Sequence, residues 1–243
     1  VPSYLVLSEL EKVGKSGVKT ALIFSSGFSE IGKSGKLLEK KILNISRKFN
    51  IRICGPNCLG VINAFDNVFA TFSQYGMKKT NPGPIGFVSQ SGAFGTAIAA
   101  LARERDLGLG YFVNTGNETD ISFSECMEYI LNDKRIKVGA GYIEGVTDPT
   151  KLVNLARTSL KTKKPIVITK VGKTKAGAKA AASHTGAISG NDESAYGSML
   201  ELSWKGTKPL IMPDGSERKF IHDGDTVIMK AYCKKDDVRV GFG

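Results

Sequence analysis

The chain has 243 residues, 41% of them hydrophobic and 23% charged, which suits a globular protein with room for one large or two small cores. No apolar run approaches the roughly 20 residues that a bilayer span needs, and the opening residues carry no secretory pattern, so no membrane role is expected. A formal charge of +11 invites a nucleic-acid reading. The lysines are scattered through helix-like stretches without interleaved aromatics, however, so they read as a solvated basic surface that steers anionic ligands, with no nucleic-acid partner.

In chain order, periodicity predicts a helix over residues 4–14, closing on a glycine. The continuous apolar run at 20–24 is the mark of a strand buried on both faces. A Lys/Glu-rich amphipathic helix over 35–50 and a short strand at 51–54 complete a βαβ rhythm. Residues 77–84, with two prolines, read as a linker and place a domain boundary near residue 80. The rhythm then restarts with strands at 85–88, 111–113, 138–143 and 165–169, separated by helices at 95–105, 122–132 and 149–161. The fold class expected is α/β: the end of a Rossmann-like domain (1–79), then a flavodoxin-like doubly wound domain (80–196).

Beyond residue 196 the pattern changes to turns at Asp214-Gly215, Asp223-Gly224-Asp225 and Lys235-Asp236-Asp237, separating β-type runs at 226–233 and 238–242. Residues 198–243 hold eight Lys and Arg against seven Asp and Glu, so the excess positive charge lies upstream. This hairpin-rich segment (197–243) reads as joined to the α/β part somewhere between residues 186 and 197. The chain begins at Val1, already in the middle of a structural unit, and is expected to be a piece of a longer or recombined protein. Cys54, Cys58, Cys126 and Cys233 show neither disulfide nor metal spacing. Free thiols of a cytoplasmic protein are the expectation.

Four motifs carry chemistry. Ser89-Gln90-Ser91-Gly92 joins a strand to a helix start, where unpaired backbone N–H groups and the positive dipole end suit an anion; an ordinary helix cap has the same sequence. His184, one of two histidines, sits in the small-residue run Ala182-Ser183-His184-Thr185-Gly186-Ala187. Neutral imidazole is a good nucleophile toward phosphorus, although a lone loop histidine is more often structural or simply exposed. Glu144 ends a strand and faces the crevice where open sheets bind ligands, placed either to orient His184 or as a surface glutamate. Gly55-Pro56-Asn57-Cys58-Leu59-Gly60 is a turn at the same edge; it suits close approach of a thin chain such as pantetheine, though stability alone could explain its glycines.

Together with Ser25-Ser26-Gly27-Phe28-Ser29-Glu30, Gly116-Asn117-Glu118-Thr119-Asp120 and Tyr142-Ile143-Glu144-Gly145, these motifs, in this order, resemble the α part of ADP-forming acetyl-CoA synthetases, relatives of the succinyl-CoA synthetase α subunit. The resemblance covers residues 1–196. It implies an acyl-CoA synthetase interconverting acyl-CoA, ADP and phosphate with acid, CoA and ATP through an acyl phosphate and a phosphohistidine. On that resemblance His184 and Glu144 are catalytic, Ser89, Ser91 and Gly92 bind phosphate, and Pro56, Asn57 and Cys58 line CoA. It further implies ADP/ATP with Mg²⁺ on an ATP-grasp partner subunit or domain, and an oligomer. The family's first Gly-rich turn, which grips the CoA phosphates, is absent from this sequence. The alternative is a non-catalytic module binding CoA or phosphate. The tail, from Gly197-Ser198-Met199-Leu200-Glu201 through Asp223-Gly224-Asp225 to Gly241-Phe242-Gly243, resembles the C-terminal end of fumarylacetoacetase, a hydrolase. That resemblance implies that Glu201 matches an active-site glutamate whose metal ligands and catalytic partners lie upstream of the matched part.

Overall fold

The computed structural model describes residues 1–78, 81–146 and 148–171, and the backbone of four strands at 198–205, 210–211, 217–218 and 226–233. The chain divides into two compact units, Val1–Ser189 and Gly190–Gly243.

The first unit opens with α1 (Ser3–Lys15), β1 (Thr20–Leu22), α2 (Lys33–Phe49) and β2 (Arg52–Cys54). β1 and β2 pair in parallel. Val6 and Leu10 of α1 and Ile42 and Ile45 of α2 pack with Ile23, Phe28, Ile51 and Ile53 into a core of their own. The helix positions recur at three- and four-residue spacing, which keeps one stripe of each helix on the strands. Asn50 ends α2 in the left-handed conformation, one that a short amide side chain tolerates.

The main sheet has six strands in the order β4-β3-β6-β5-β7-β8. β5 (Ile85–Ser89), β6 (Leu109–Asn114), β7 (Val138–Ile143) and β8 (Ile166–Lys170) run parallel. α3 (Gly92–Glu104), α4 (Phe123–Asn132) and α5 (Pro149–Thr162) connect them. The expected strand and helix positions hold, and the fold is the α/β class the sequence implies.

β3 (Gly60–Asn63) and β4 (Val68–Thr71) are the exception. They form an antiparallel pair, and β3 also pairs antiparallel with β6. These strands precede residue 79, so the six-stranded sheet spans the position where the sequence suggested two domains part. The small sheet is fastened to the same body. The Asp120 carboxylate accepts from Ile53 N–H at 2.7 Å and Arg52 Nε at 2.9 Å, and Thr119 and Ile121 N–H donate to the carbonyls of Gly55 and Ile53.

Every residue of β6 is buried, as a central strand requires. α4 lies close over the sheet because two strand positions lack a side chain. A Cβ on Gly86 would meet Ile130 Cγ2 at 2.1 Å, and one on Gly139 would meet Met127 Sδ at 2.7 Å. α4 starts with a reciprocal capping box between Ser122 and Glu125, and α5 with an Asp148 cap followed by Pro149. Among the described residues no helix is long and apolar enough to cross a membrane.

In the second unit, β9 (Ser198–Lys205) and β12 (Thr226–Cys233) pair antiparallel along their full length, and β10 (Leu210–Ile211) pairs antiparallel with β11 (Glu217–Arg218). This is the hairpin arrangement expected of the tail. The expected run at 238–242 lies outside the described residues.

Candidate functional site

The ends of β2, β5, β6 and β7 meet at one edge of the first unit, the carboxyl edge where open parallel sheets bind ligands. A cleft of about 210 Å³ opens there, lined by Asn57, Cys58, Ser91, Gly92, Gly116, Asn117 and Glu144, with Phe24, Leu59 and Phe72 on its apolar side. Asn57, Cys58, Ser91, Gly92 and Glu144, all marked by the sequence, therefore share one cavity.

Ser91 caps the 13-residue α3 without a side-chain hydrogen bond to the helix. Its hydroxyl and the first-turn N–H groups border the cleft at the positive end of the helix dipole. Ser89 is placed differently from the expectation. It is fully buried, and its hydroxyl donates to the Ser91 carbonyl at 2.7 Å, so it shapes the turn from behind. Pro56 also stands behind the wall, its carbonyl accepting from Asn117 N–H at 2.9 Å.

Glu144 follows β7 and is 7% exposed. Gln90 fixes it to the turn before α3: Gln90 Oε1 accepts from the N–H groups of Glu144 (2.7 Å) and Gly145 (2.9 Å), while Gln90 Nε2 donates to the Gly145 carbonyl at 2.9 Å. Lys170 Nζ donates to the Glu144 carbonyl at 3.0 Å. Asn114, at the end of β6 and wholly buried, ties a third turn to these two. Its Nδ2 donates to the carbonyls of Ser89 and Gln90, and its Oδ1 accepts from Leu59 N–H at 2.6 Å. Substituting an apolar residue would deprive the Leu59 N–H and the Gln90 carbonyl of these partners, each costing about 1–3 kcal/mol, while the Ser89 carbonyl would keep the Thr115 N–H at 3.0 Å.

On the other side, Asn57 Nδ2 donates to Asn117 Oδ1 at 3.2 Å. Asn117 Nδ2 in turn donates to Glu30 Oε2 (2.6 Å) and Glu39 Oε1 (2.8 Å). Burial raises the Glu30 pKa, but hydrogen bonds from Asn117 and the Gly27 and Phe28 N–H groups outweigh it and hold this carboxyl below its ordinary value. Asn117 is thereby oriented with its oxygen toward Asn57. Cys58 lies buried at the cleft floor, its thiol donating to the Ile23 carbonyl at 3.5 Å.

Gln90, Asn114 and Asn117 were not singled out as site residues from the sequence. The usable signal was a polar side chain closing an apolar strand run, as in Tyr111-Phe112-Val113-Asn114. His184 lies outside the described residues, as does Glu201 as a side chain. Among the described residues no group of three or more His, Cys, Asp or Glu side chains could hold a metal.

Residues 82–201 match the family of succinyl-CoA ligase like flavodoxin domains. The chain is 39% identical over 191 residues to the α subunit of acetate–CoA ligase [ADP-forming] II of Pyrococcus furiosus, covering 79% of this chain and 41% of that protein. A solved structure of dinucleotide forming acetyl-coenzyme A synthetase 1 of Ca. Korarchaeum cryptofilum, in complex with phosphate and ADP, superimposes with a TM-score of 0.72 at 35% identity, covering 81% of this chain and 42% of that one. The chain thus spans about two fifths of the length of these two relatives. A separate match to human fumarylacetoacetase is 56% identical over 59 residues, covering 24% of this chain and 14% of that enzyme.

Proposed function

We propose, from the match of residues 82–201 to the succinyl-CoA ligase like flavodoxin domain, that this chain is the phosphoryl-carrying α part of an ADP-forming acyl-CoA ligase. The reaction is the reversible conversion of acyl-CoA, ADP and phosphate into acid, CoA and ATP. The observation that carries the reading is the clamp by Gln90, which holds the buried Glu144 beside the open start of α3 in one cleft.

In this reading phosphate binds at Ser91 and Gly92, where the helix dipole and N–H groups offset its charge. It attacks the thioester carbonyl of an acyl-CoA whose pantetheine arm lies along Asn57 and Cys58, with Pro56 behind them. The thiolate leaves and an acyl phosphate remains in the cleft. A nitrogen of His184 then attacks phosphorus, the P–O bond to the acyl group breaks, and the carboxylate departs. Glu144 accepts the N–H of the other imidazole nitrogen, selecting the tautomer whose free lone pair attacks. Ser89 sets the turn that presents Ser91.

The segment bearing His184 continues from β8, which adjoins β7 and hence Glu144 at the same edge. Transfer to ADP requires an ATP-grasp subunit or domain that holds the nucleotide with Mg²⁺. We assign residues 1–79 to the CoA-binding part and 80–196 to the phosphohistidine part, joined through their shared sheet. The reading is tested by incubating the chain with acetyl [³²P]phosphate. Acid-labile label on His184 is expected, and His184→Asn abolishes it. Equal labelling of His184→Asn and the parent removes the proposal.

A further inference from the structure

Gln90 borders two cavities. It lines the cleft, and it also lines a smaller cavity of about 20 Å³ together with Glu118, Ser122, Gly145, Asp148 and Lys151. Its side-chain amide is bonded on both ends. Oε1 takes the N–H groups of Glu144 and Gly145, while Nε2 donates to the Gly145 carbonyl and to the Glu118 carboxylate. Glu118 thus reaches the clamp on Glu144 without touching the cleft.

The loop after β6 is built to hold Glu118 there. Its backbone φ is +56°, the left-handed region that a residue with a long side chain rarely adopts. Asn117 and Thr119 N–H, on either side, donate to the carbonyls of Pro56 and Gly55. At Gly116 a Cβ would lie 2.3 Å from the Pro56 carbonyl, so the loop packs directly on that turn. Thr115 Oγ1 and the Phe123 N–H donate to Glu118 Oε1 at 2.7 and 2.9 Å. With Gln90, three donors converge on one carboxyl group, and only its ionised form meets them without a donor of its own.

The charged and titratable groups around Glu118 come from four elements. Lys151 of α5 favours its ionisation and is itself paired with Glu125 of α4 at 2.9 Å. The Cys126 thiol of α4 and the Cys54 thiol of β2 both feel its charge, and Asp148, the α5 cap, lines the same small cavity. Burial is the largest influence and pushes the carboxyl up to about 7, so both of its forms are present near neutral pH.

We propose that Glu118 is a positioning residue for phosphoryl transfer: its carboxylate orients the Gln90 amide, and Gln90 in turn sets Glu144 beside the start of α3. This rests on the phosphoryl-transfer reading above. Protonation replaces a charge-assisted bond from Gln90 with a weaker neutral one and adds an O–H that competes for Gln90 Oε1. Labelling of His184 therefore gains as Glu118 ionises.

The test compares the full chain with Glu118→Gln, which keeps the size of the side chain but offers a single oxygen to the same donors. Labelling of His184 by acetyl phosphate is followed between about pH 5.5 and about pH 8.5. The donor and the imidazole titrate alike in both proteins and cancel in the ratio of rates. Parent over Glu118→Gln, that ratio is expected to rise about 10-fold, with a midpoint at about 7. A ratio that does not change with pH reduces Glu118 to a support for the start of α4 and overturns the proposal. The side-chain amide resonances of Gln90 supply a readout in the parent alone, without a phosphoryl donor. They are expected to shift with the same midpoint, and resonances that do not titrate also overturn the proposal. Titrating resonances in a parent that takes no label would instead defeat the phosphoryl-transfer reading, leaving Glu118 to orient Gln90 for some other chemistry.

Discussion

Glu118 is a half-buried carboxyl in the loop that follows β6. Burial, opposed by hydrogen bonds from Thr115, Gln90 and the Phe123 N–H and by the Lys151 charge, pushes it from 4.5 up to about 7. Thr115 Oγ1 and Phe123 N–H both donate to the same oxygen, at 2.7 and 2.9 Å. A carboxyl whose pKa is raised by folding favours the native state while protonated. Its contribution is full below about pH 4.5 and is lost as pH rises through 7, about 3 kcal/mol for a shift of this size. Glu125 works in a separate window. Burial raises its pKa, but Lys151, Ser122 and Arg52 outweigh that and hold it at about 2, so its contribution is lost only as pH falls from 4.5. Glu118→Gln keeps the acceptor and removes the ionisation. Urea unfolding at pH 5 and pH 8 is expected to show the parent losing stability that Glu118→Gln keeps. Equal losses in the two proteins would mean that Glu118 ionises freely in the fold.

At the scale of elements, the turn between β5 and α3 depends on how closely the helix approaches the strand. A Cβ on Gly95 would lie 2.8 Å from Ser89 Cβ and 2.9 Å from its hydroxyl. Gly95→Ala would gain about 1 kcal/mol of helix propensity in an exposed helix, yet here it must push α3 off the strand. A net destabilisation of about 1–3 kcal/mol is expected, together with slower labelling of His184, because the proposed function places phosphate at the displaced helix start. An unchanged urea midpoint would show that α3 has slack over β5. The buried central strands and their helices were legible because each repeats one local pattern, an apolar run or a stripe. β3 and β4 were not: each is four residues long, and Ile62 is the one fully buried large side chain in the pair. The site was legible where a residue ends a strand, as with Glu144, or opens a helix, as with Ser91 and Gly92. Gln90, Asn114 and Asn117 each reach at least one partner 55 or more residues away, which no local pattern records.

At the scale of the whole molecule, Val1–Ser189 and Gly190–Gly243 are separate compact units. The first contains every described residue of the cleft as well as the His184 position. A chain ending at Ser189 is therefore expected to keep the thermal transition of the first unit within a few degrees and to accept phosphate from acetyl phosphate at the parent rate. Loss of either would make the tail integral to the site. The tail itself supplies no hydrolase reading, since its match spans only 14% of fumarylacetoacetase. The hairpin of β3 and β4 sets a further limit. It brings Leu59 and Phe72 to the cleft from upstream of residue 80, yet its hydrogen bonds are to β6, from downstream. A recombination event that exchanged the segments on either side of residue 80 between two such proteins would part β3 from β6, and Leu59 and Phe72 from the start of α3 across the cleft. The two sides of the cleft are therefore inherited together.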